Sequence, residues 1–145
     1  MRIPSLLFLM VLIACDSPGE SSENLVFDEN SIQQWKLVKM TGSFSGSETT
    51  GMDMEWQETY DFNTNLSFTK TRISKNGAMS ASGTFRIEEQ NGETFLLLTY
   101  AEQSTIVGSC LGKDSETLVL TNKSQSLQST WWACDGPGLF YERFD

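Results

Sequence analysis

Leu66-Ser67-Phe68-Thr69-Lys70-Thr71-Arg72-Ile73, followed at once by Ser74-Lys75-Asn76-Gly77, decides the fold. Phe68, Thr69, Thr71 and Ile73 are side chains at home on a pleated surface, where successive residues point to opposite faces. Asn-Gly accepts the positive φ angles of a tight turn, so the chain is expected to double back there. Ser80 to Glu88 then reads as the returning strand, with Phe85 and Ile87 facing inward.

Working outward, Asn63-Thr64-Asn65 is a second turn, and before it Trp56, Tyr60 and Phe62 share one parity against Glu55, Thr59 and Asp61. That alternation is a half-buried strand. Trp35-Lys36-Leu37-Val38-Lys39-Met40 reads as the first strand, after a short helical turn expected at Asp28 to Gln34 and capped by Asn30 or Ser31. Thr41 to Gly51, Ser, Thr and Gly around a lone Phe44, reads as a loop. Toward the C-terminus, Gln90-Asn91-Gly92 turns into Thr94 to Tyr100, a run apolar on both faces. Further strands are expected at Thr105 to Leu111, Thr117 to Asn122, Leu127 to Trp132 and Leu139 to Phe144. Eight or nine short strands separated by turn chemistry predict an all-β antiparallel domain, a closed meander or a sandwich. No element is long enough for a crossover helix, which excludes a parallel sheet.

Composition narrows the function. The 4 Trp, 3 Tyr and 9 Phe residues and the 39% hydrophobic content belong to a folded chain. Ten Lys and Arg against 19 Asp and Glu give a net charge of −9. Such a surface repels phosphate backbones, so nucleic acid is not an expected partner, whereas a basic protein would be attracted. With no histidine, His-based triads and His-ligated metals are excluded, and no cofactor is expected. The carboxylates Asp53, Glu55, Glu58 and Asp61 read as solvated acids on an outer face rather than a glycosidase pair. Gly42-Ser43-Phe44-Ser45-Gly46 is no nucleophile elbow, because its centre is Phe. The chain reads as a non-enzyme.

The first 15 residues, MRIPSLLFLMVLIAC, put Arg2 before an apolar run from Leu6 to Ile13 and a small residue, Ala14, before Cys15. That run is far short of the roughly 20 residues that span a bilayer, and the parts are those of a secretory signal. Leu12-Ile13-Ala14-Cys15 resembles the lipobox of bacterial lipoproteins. The resemblance implies diacylglycerol on the Cys15 thiol, cleavage before Cys15 and acylation of the new N-terminus, which together anchor stably. Losing Arg2 would leave 9 − 19, a charge of −10. Residues 1–14 are thus the expected signal peptide and 15–29 the lipidated cysteine with a Ser-, Gly- and acid-rich tether. The expected location is the bacterial cell envelope, at the outer membrane. Asp16 is compatible with surface export in some lineages and with inner-membrane retention in others. Outside the cytoplasm, the remaining pair Cys110 and Cys134 is expected to form a disulfide.

Residues 30–145 resemble the lipocalin-like domains of bacterial lipoproteins. The resemblance rests on Trp35-Lys36-Leu37, Tyr60-Asp61-Phe62 with Leu66-Ser67-Phe68, Gly83-Thr84-Phe85-Arg86-Ile87, Leu96 to Tyr100, Thr117 to Leu120 and Tyr141-Glu142-Arg143. Gln33 stands where lipocalins usually carry Gly. The resemblance implies an up-and-down barrel of about eight strands, with Trp35 and Arg143 stacked to close one end. A barrel of that size holds packed side chains or one small ligand. Tyr60, Phe62, Phe68, Phe85, Leu97, Trp131 and Tyr141 are the candidate lining for a small apolar or amphipathic ligand. In Trp131-Trp132, read as strand, one indole is expected inside and one outside. The alternative function is a protein-interaction module for a basic partner, a format shared with small lipid-anchored lysozyme inhibitors.

Overall fold

The computed structural model describes residues 28–121 and 126–144. The expected signal segment, Cys15 and most of the expected tether lie outside the described residues. Nine strands form one sheet: β1 Gln33–Thr41, β2 Thr49–Thr50, β3 Trp56–Phe62, β4 Ser67–Ser74, β5 Gly77–Gln90, β6 Glu93–Tyr100, β7 Ser115–Thr121, β8 Ser126–Ser129 and β9 Gly138–Arg143. Every neighbouring pair is antiparallel, and β9 returns to pair with β1. β1 and β3 to β9 therefore close an eight-stranded up-and-down barrel, and β2 is a two-residue addition along β1. Closure leaves the eight barrel strands without an open sheet edge.

Local chemistry explains the turns. Ser74 pairs with Gly77 around Lys75-Asn76, and the positive φ, 109°, falls on Gly77. The tighter primed turn is the second Asn-Gly: Asn91 (φ 54°) and Gly92 (φ 80°) both turn left between the paired Gln90 and Glu93. In the middle of the 14-residue β5, Gly83 lets the β6 backbone come close. A Cβ there would stand 2.0 Å from the Thr99 carbonyl oxygen.

Three expected elements take other forms. Asp28 to Gln34 is a turn, not helical. The Asp28 carboxylate accepts from the Asn30 N–H at 2.9 Å, and β1 has already begun at Gln33. That short side chain offers the backbone an alternative to a helix. Thr105 to Leu111 is not a strand but part of the irregular β6–β7 connection, whose apolar Ile106 and Val107 are spent on burial against the barrel. The expected strand from Leu127 to Trp132 ends at Ser129, and a 3-10 turn takes over at Trp131–Cys134.

Strand directions define two ends. The near end holds the start of the described chain, the 63–66 and 91–92 turns and Phe144, whose N–H donates to the Gln34 carbonyl at 3.0 Å. The far end carries the connections 42–55, 75–76, 101–114 and 130–137. The disulfide Cys110–Cys134 staples two of these together, with 5.7 Å between Cα atoms. Closing a loop of that size contributes about 3 kcal/mol.

Candidate functional site

The inward faces divide the interior into two halves. Toward the near end Trp35, Phe62, Phe68, Phe85, Leu96, Leu120 and Leu127 form an apolar base. Phe62 and Phe85 meet edge to face there with centroids 5.0 Å apart, and Phe68 meets Tyr100 of the other half edge to face at 4.9 Å. Toward the far end the same inward parity delivers Glu58 from β3, Lys70 and Arg72 from β4 and Glu116 from β7. With them come the chain's three tyrosines, Tyr60, Tyr100 and Tyr141.

These groups form one hydrogen-bonded network. Lys70 Nζ lies 3.0 and 3.1 Å from the two Glu116 oxygens and 3.1 Å from Glu58 Oε1. Tyr60 (2.8 Å) and Tyr100 (2.5 Å) donate to Glu116 Oε2, and Tyr141 donates to Glu58 Oε1 at 2.6 Å. Arg72 Nε donates to Glu58 Oε2 at 2.5 Å while its Cζ lies 4.1 Å from the centre of the Trp56 ring. Two carboxylates and two cations cancel, so the net charge of the chain stays outside the barrel. Burial pushes all three phenols far above their ordinary range. Glu116 adds to this at Tyr60 and Tyr100, and Glu58 at Tyr141.

The β6–β7 connection closes this chamber. Its Ile106 carbonyl accepts from Arg72 at 3.0 Å, its Gly108 N–H donates to Glu116 Oε1 at 3.2 Å, and Trp131 packs against the core. Lys70, Tyr60, Phe62, Phe68 and Tyr141 are each no more than 1% exposed. The space around them is filled by one another.

Of the seven residues expected to line the interior, Tyr60, Phe62, Phe68, Phe85 and Tyr141 face inward and pack together. Leu97 does not join them: Leu96 and Leu98 are buried, and the pleat turns half-buried Leu97 to the outer face. Trp131 reaches the core from the 3-10 turn, and Trp132 points outward. Trp35 and Arg143 are direct partners between β1 and β9. Trp35 is buried, its indole N–H donating to the Gln33 side-chain oxygen at 3.3 Å, and Arg143 is exposed. Glu58 corrects the reading of its carboxylate group: it shares parity with Tyr60 and Phe62 and is buried, while Asp53 and Glu55 are exposed. Sequence reasoning passed over Lys70, Arg72 and Glu116. Their signal was parity: Lys70 and Arg72 alternate in step with Phe68, and Glu116 with Leu118 and Leu120.

The far-end surface differs in kind. Phe44 (74% exposed), Leu111 (87%) and Trp132 (57%) project from its connections. On the same connections Glu48, Asp53, Glu55, Glu102, Asp114 and Asp135 are exposed, against Lys75 and Lys113, and Glu48 pairs with the Lys39 ammonium at 3.4 Å. A cleft of about 420 Å³ opens beside Trp132, between the β1–β2 connection and the turn leading into β9. No protein family, curated protein or solved structure matches the chain.

Proposed function

We propose that this protein is a membrane-anchored envelope lipoprotein. In this reading its barrel is a rigid, non-catalytic scaffold that presents its far end to a basic protein partner. The observation that carries the reading is the contrast between the two candidate sites. The interior is packed and its charges are mutually satisfied, while the far-end connections expose Phe44, Leu111 and Trp132 and carry six carboxylates, one of them paired with Lys39, against two lysines. Large apolar side chains held out into solvent on one end of a rigid fold are the anchors that interaction surfaces use. The described chain begins at the near end, so a lipidated Cys15 upstream would join the barrel at the end opposite this surface. Glu58 and Glu116 are sealed and saturated by donors, which is the opposite of a carboxylate held ready for acid–base work. A small amphipathic ligand remains a second reading, favoured by the outer cleft rather than by the barrel interior.

The test is retention of cationic proteins, lysozyme among them, on the immobilised mature chain. Retention at low salt and release at about 0.5 M is expected, because screening shortens the reach of surface charge. Changing Glu48, Glu102, Asp114 and Asp135 to Lys should abolish it. Salt-insensitive retention, or equal retention by the charge-reversed variant, removes the reading.

A further inference from the structure

We infer that the cleft beside Trp132 is an arginine-binding pocket, in which the guanidinium of a basic partner stacks on the Trp132 indole and pairs with the Asp135 carboxylate. The inference rests on the proposed role of the far end and names the contact that would anchor it.

The arrangement already exists, completed, inside the same molecule. Arg72 lies over the Trp56 ring at 4.1 Å and donates through Nε to Glu58 at 2.5 Å. One guanidinium thus satisfies an indole face and a carboxylate together, its planar fork stacking on the ring while an N–H reaches the acid. Trp132 and Asp135 both line the outer cleft and supply the indole and the acid, and none of the residues lining it is cationic. Phe140, on the same wall, already carries the Lys39 ammonium 4.3 Å from its ring centre. The indole left open is that of Trp132.

The pocket is also built to stay in place. Asp135 follows Cys134 directly and Trp132 lies two residues before it, and the Cys134 bond to Cys110 ties the turn to the β6–β7 connection. Beneath, Trp131 packs so closely on the backbone that a Cβ on Gly136 would stand 2.5 Å from its ring. A Cβ on Gly138 would meet the Thr41 hydroxyl at 2.3 Å and force that side chain to move. Asp135 adopts a left-handed φ of 67°, which Asp tolerates, and after it the Gly136 N–H donates to the Trp131 carbonyl at 3.3 Å to close the turn. A pocket fixed before binding loses little on ordering.

The experiment uses the mature chain and three small probes: N-acetyl-arginine methylamide, its lysine counterpart and its uncharged citrulline counterpart. The readout is the Trp132 indole N–H resonance, assigned with Trp132→Phe. The arginine probe should shift it saturably, with lysine about tenfold weaker and citrulline weaker still. Asp135→Asn, which tolerates the same backbone conformation, should weaken arginine binding about tenfold on that resonance, and Trp132→Leu should weaken it about tenfold on the Gly136 backbone amide, which both chains keep. Equal response to all three probes, or an unchanged response in Asp135→Asn, overturns the inference. If cationic proteins bind in a salt-sensitive way but Trp132→Leu and Asp135→Asn retain them fully, the interaction role stands and this pocket falls. If the arginine probe binds but no cationic protein is retained, the pocket stands and the role falls.

Discussion

Lys70 Nζ sits between the two carboxylate oxygens of Glu116, at 3.0 and 3.1 Å, with both side chains sealed inside the barrel. Burying such a pair costs much of what their attraction returns, so its net contribution is small. Removing one member is another matter, because it strands the other. Lys70 also bridges to Glu58 at 3.1 Å, so Lys70→Met would leave two buried carboxylates without their shared amine. It should cost about 3–5 kcal/mol in urea unfolding. Adding Glu116→Gln to that variant should recover part of the loss, since it removes one stranded charge. A loss below about 1 kcal/mol for Lys70→Met would show that the network is not closed to water.

All three tyrosines of the chain belong to this network, so their titration reports on it alone. Below pH of about 10 folded and unfolded chains both hold the phenolic protons, and these groups leave stability independent of pH. Above that value the unfolded chain releases protons that the folded one retains, because burial holds the native phenols far higher. Stability should then fall with rising pH, by up to about 4 kcal/mol per unit for the three together. Tyrosinate absorbance should therefore stay silent past pH 10 and appear in one cooperative step with loss of the circular dichroism of the strands. Gradual ionisation in an intact barrel would contradict the buried placement.

The Cys110–Cys134 bond holds down the connection that caps the network. Replacing both cysteines with serine should lower stability by about 3 kcal/mol while the barrel still forms. Amide exchange should accelerate most in the segment where the Ser104 N–H meets the Lys113 carbonyl at 2.9 Å and Gly108 meets Glu116. Exchange that rises equally in β3 and β4 would mean that the staple serves the whole barrel rather than its cap.

The barrel was legible because alternation and turn chemistry are local: Tyr60-Asp61-Phe62 and Asn91-Gly92 carry their own instructions. The network was not, because its members are distant in sequence. Glu58, Lys70 and Glu116 meet only once register is known, with Tyr60 opposite Lys70 across β3 and β4. Parity already placed Glu58 with Tyr60, but acidic side chains are so seldom buried that residue type outweighed position. In the β6–β7 connection the error ran the other way. Ile106 and Val107 look like strand residues, yet their burial comes from capping a barrel end, which no period reveals.

Leu96-Leu97-Leu98 tests the register most sharply, because composition cannot tell the three residues apart. Leu98 stands opposite Phe85 and Glu116, and is buried; Leu97 stands opposite Arg86 and Thr117, on the outer face. A slip of one residue would exchange these roles throughout β6. Leu98→Ala opens a space in the packed interior that its neighbours can only partly fill, and should cost about 2–5 kcal/mol. Leu97→Ala removes a half-covered side chain from the outer wall and should cost about 1 kcal/mol or less. Both are measured by urea midpoint with the slope held in common. If Leu97→Ala proves the more damaging, β6 faces the other way, and Tyr100 can no longer reach Glu116.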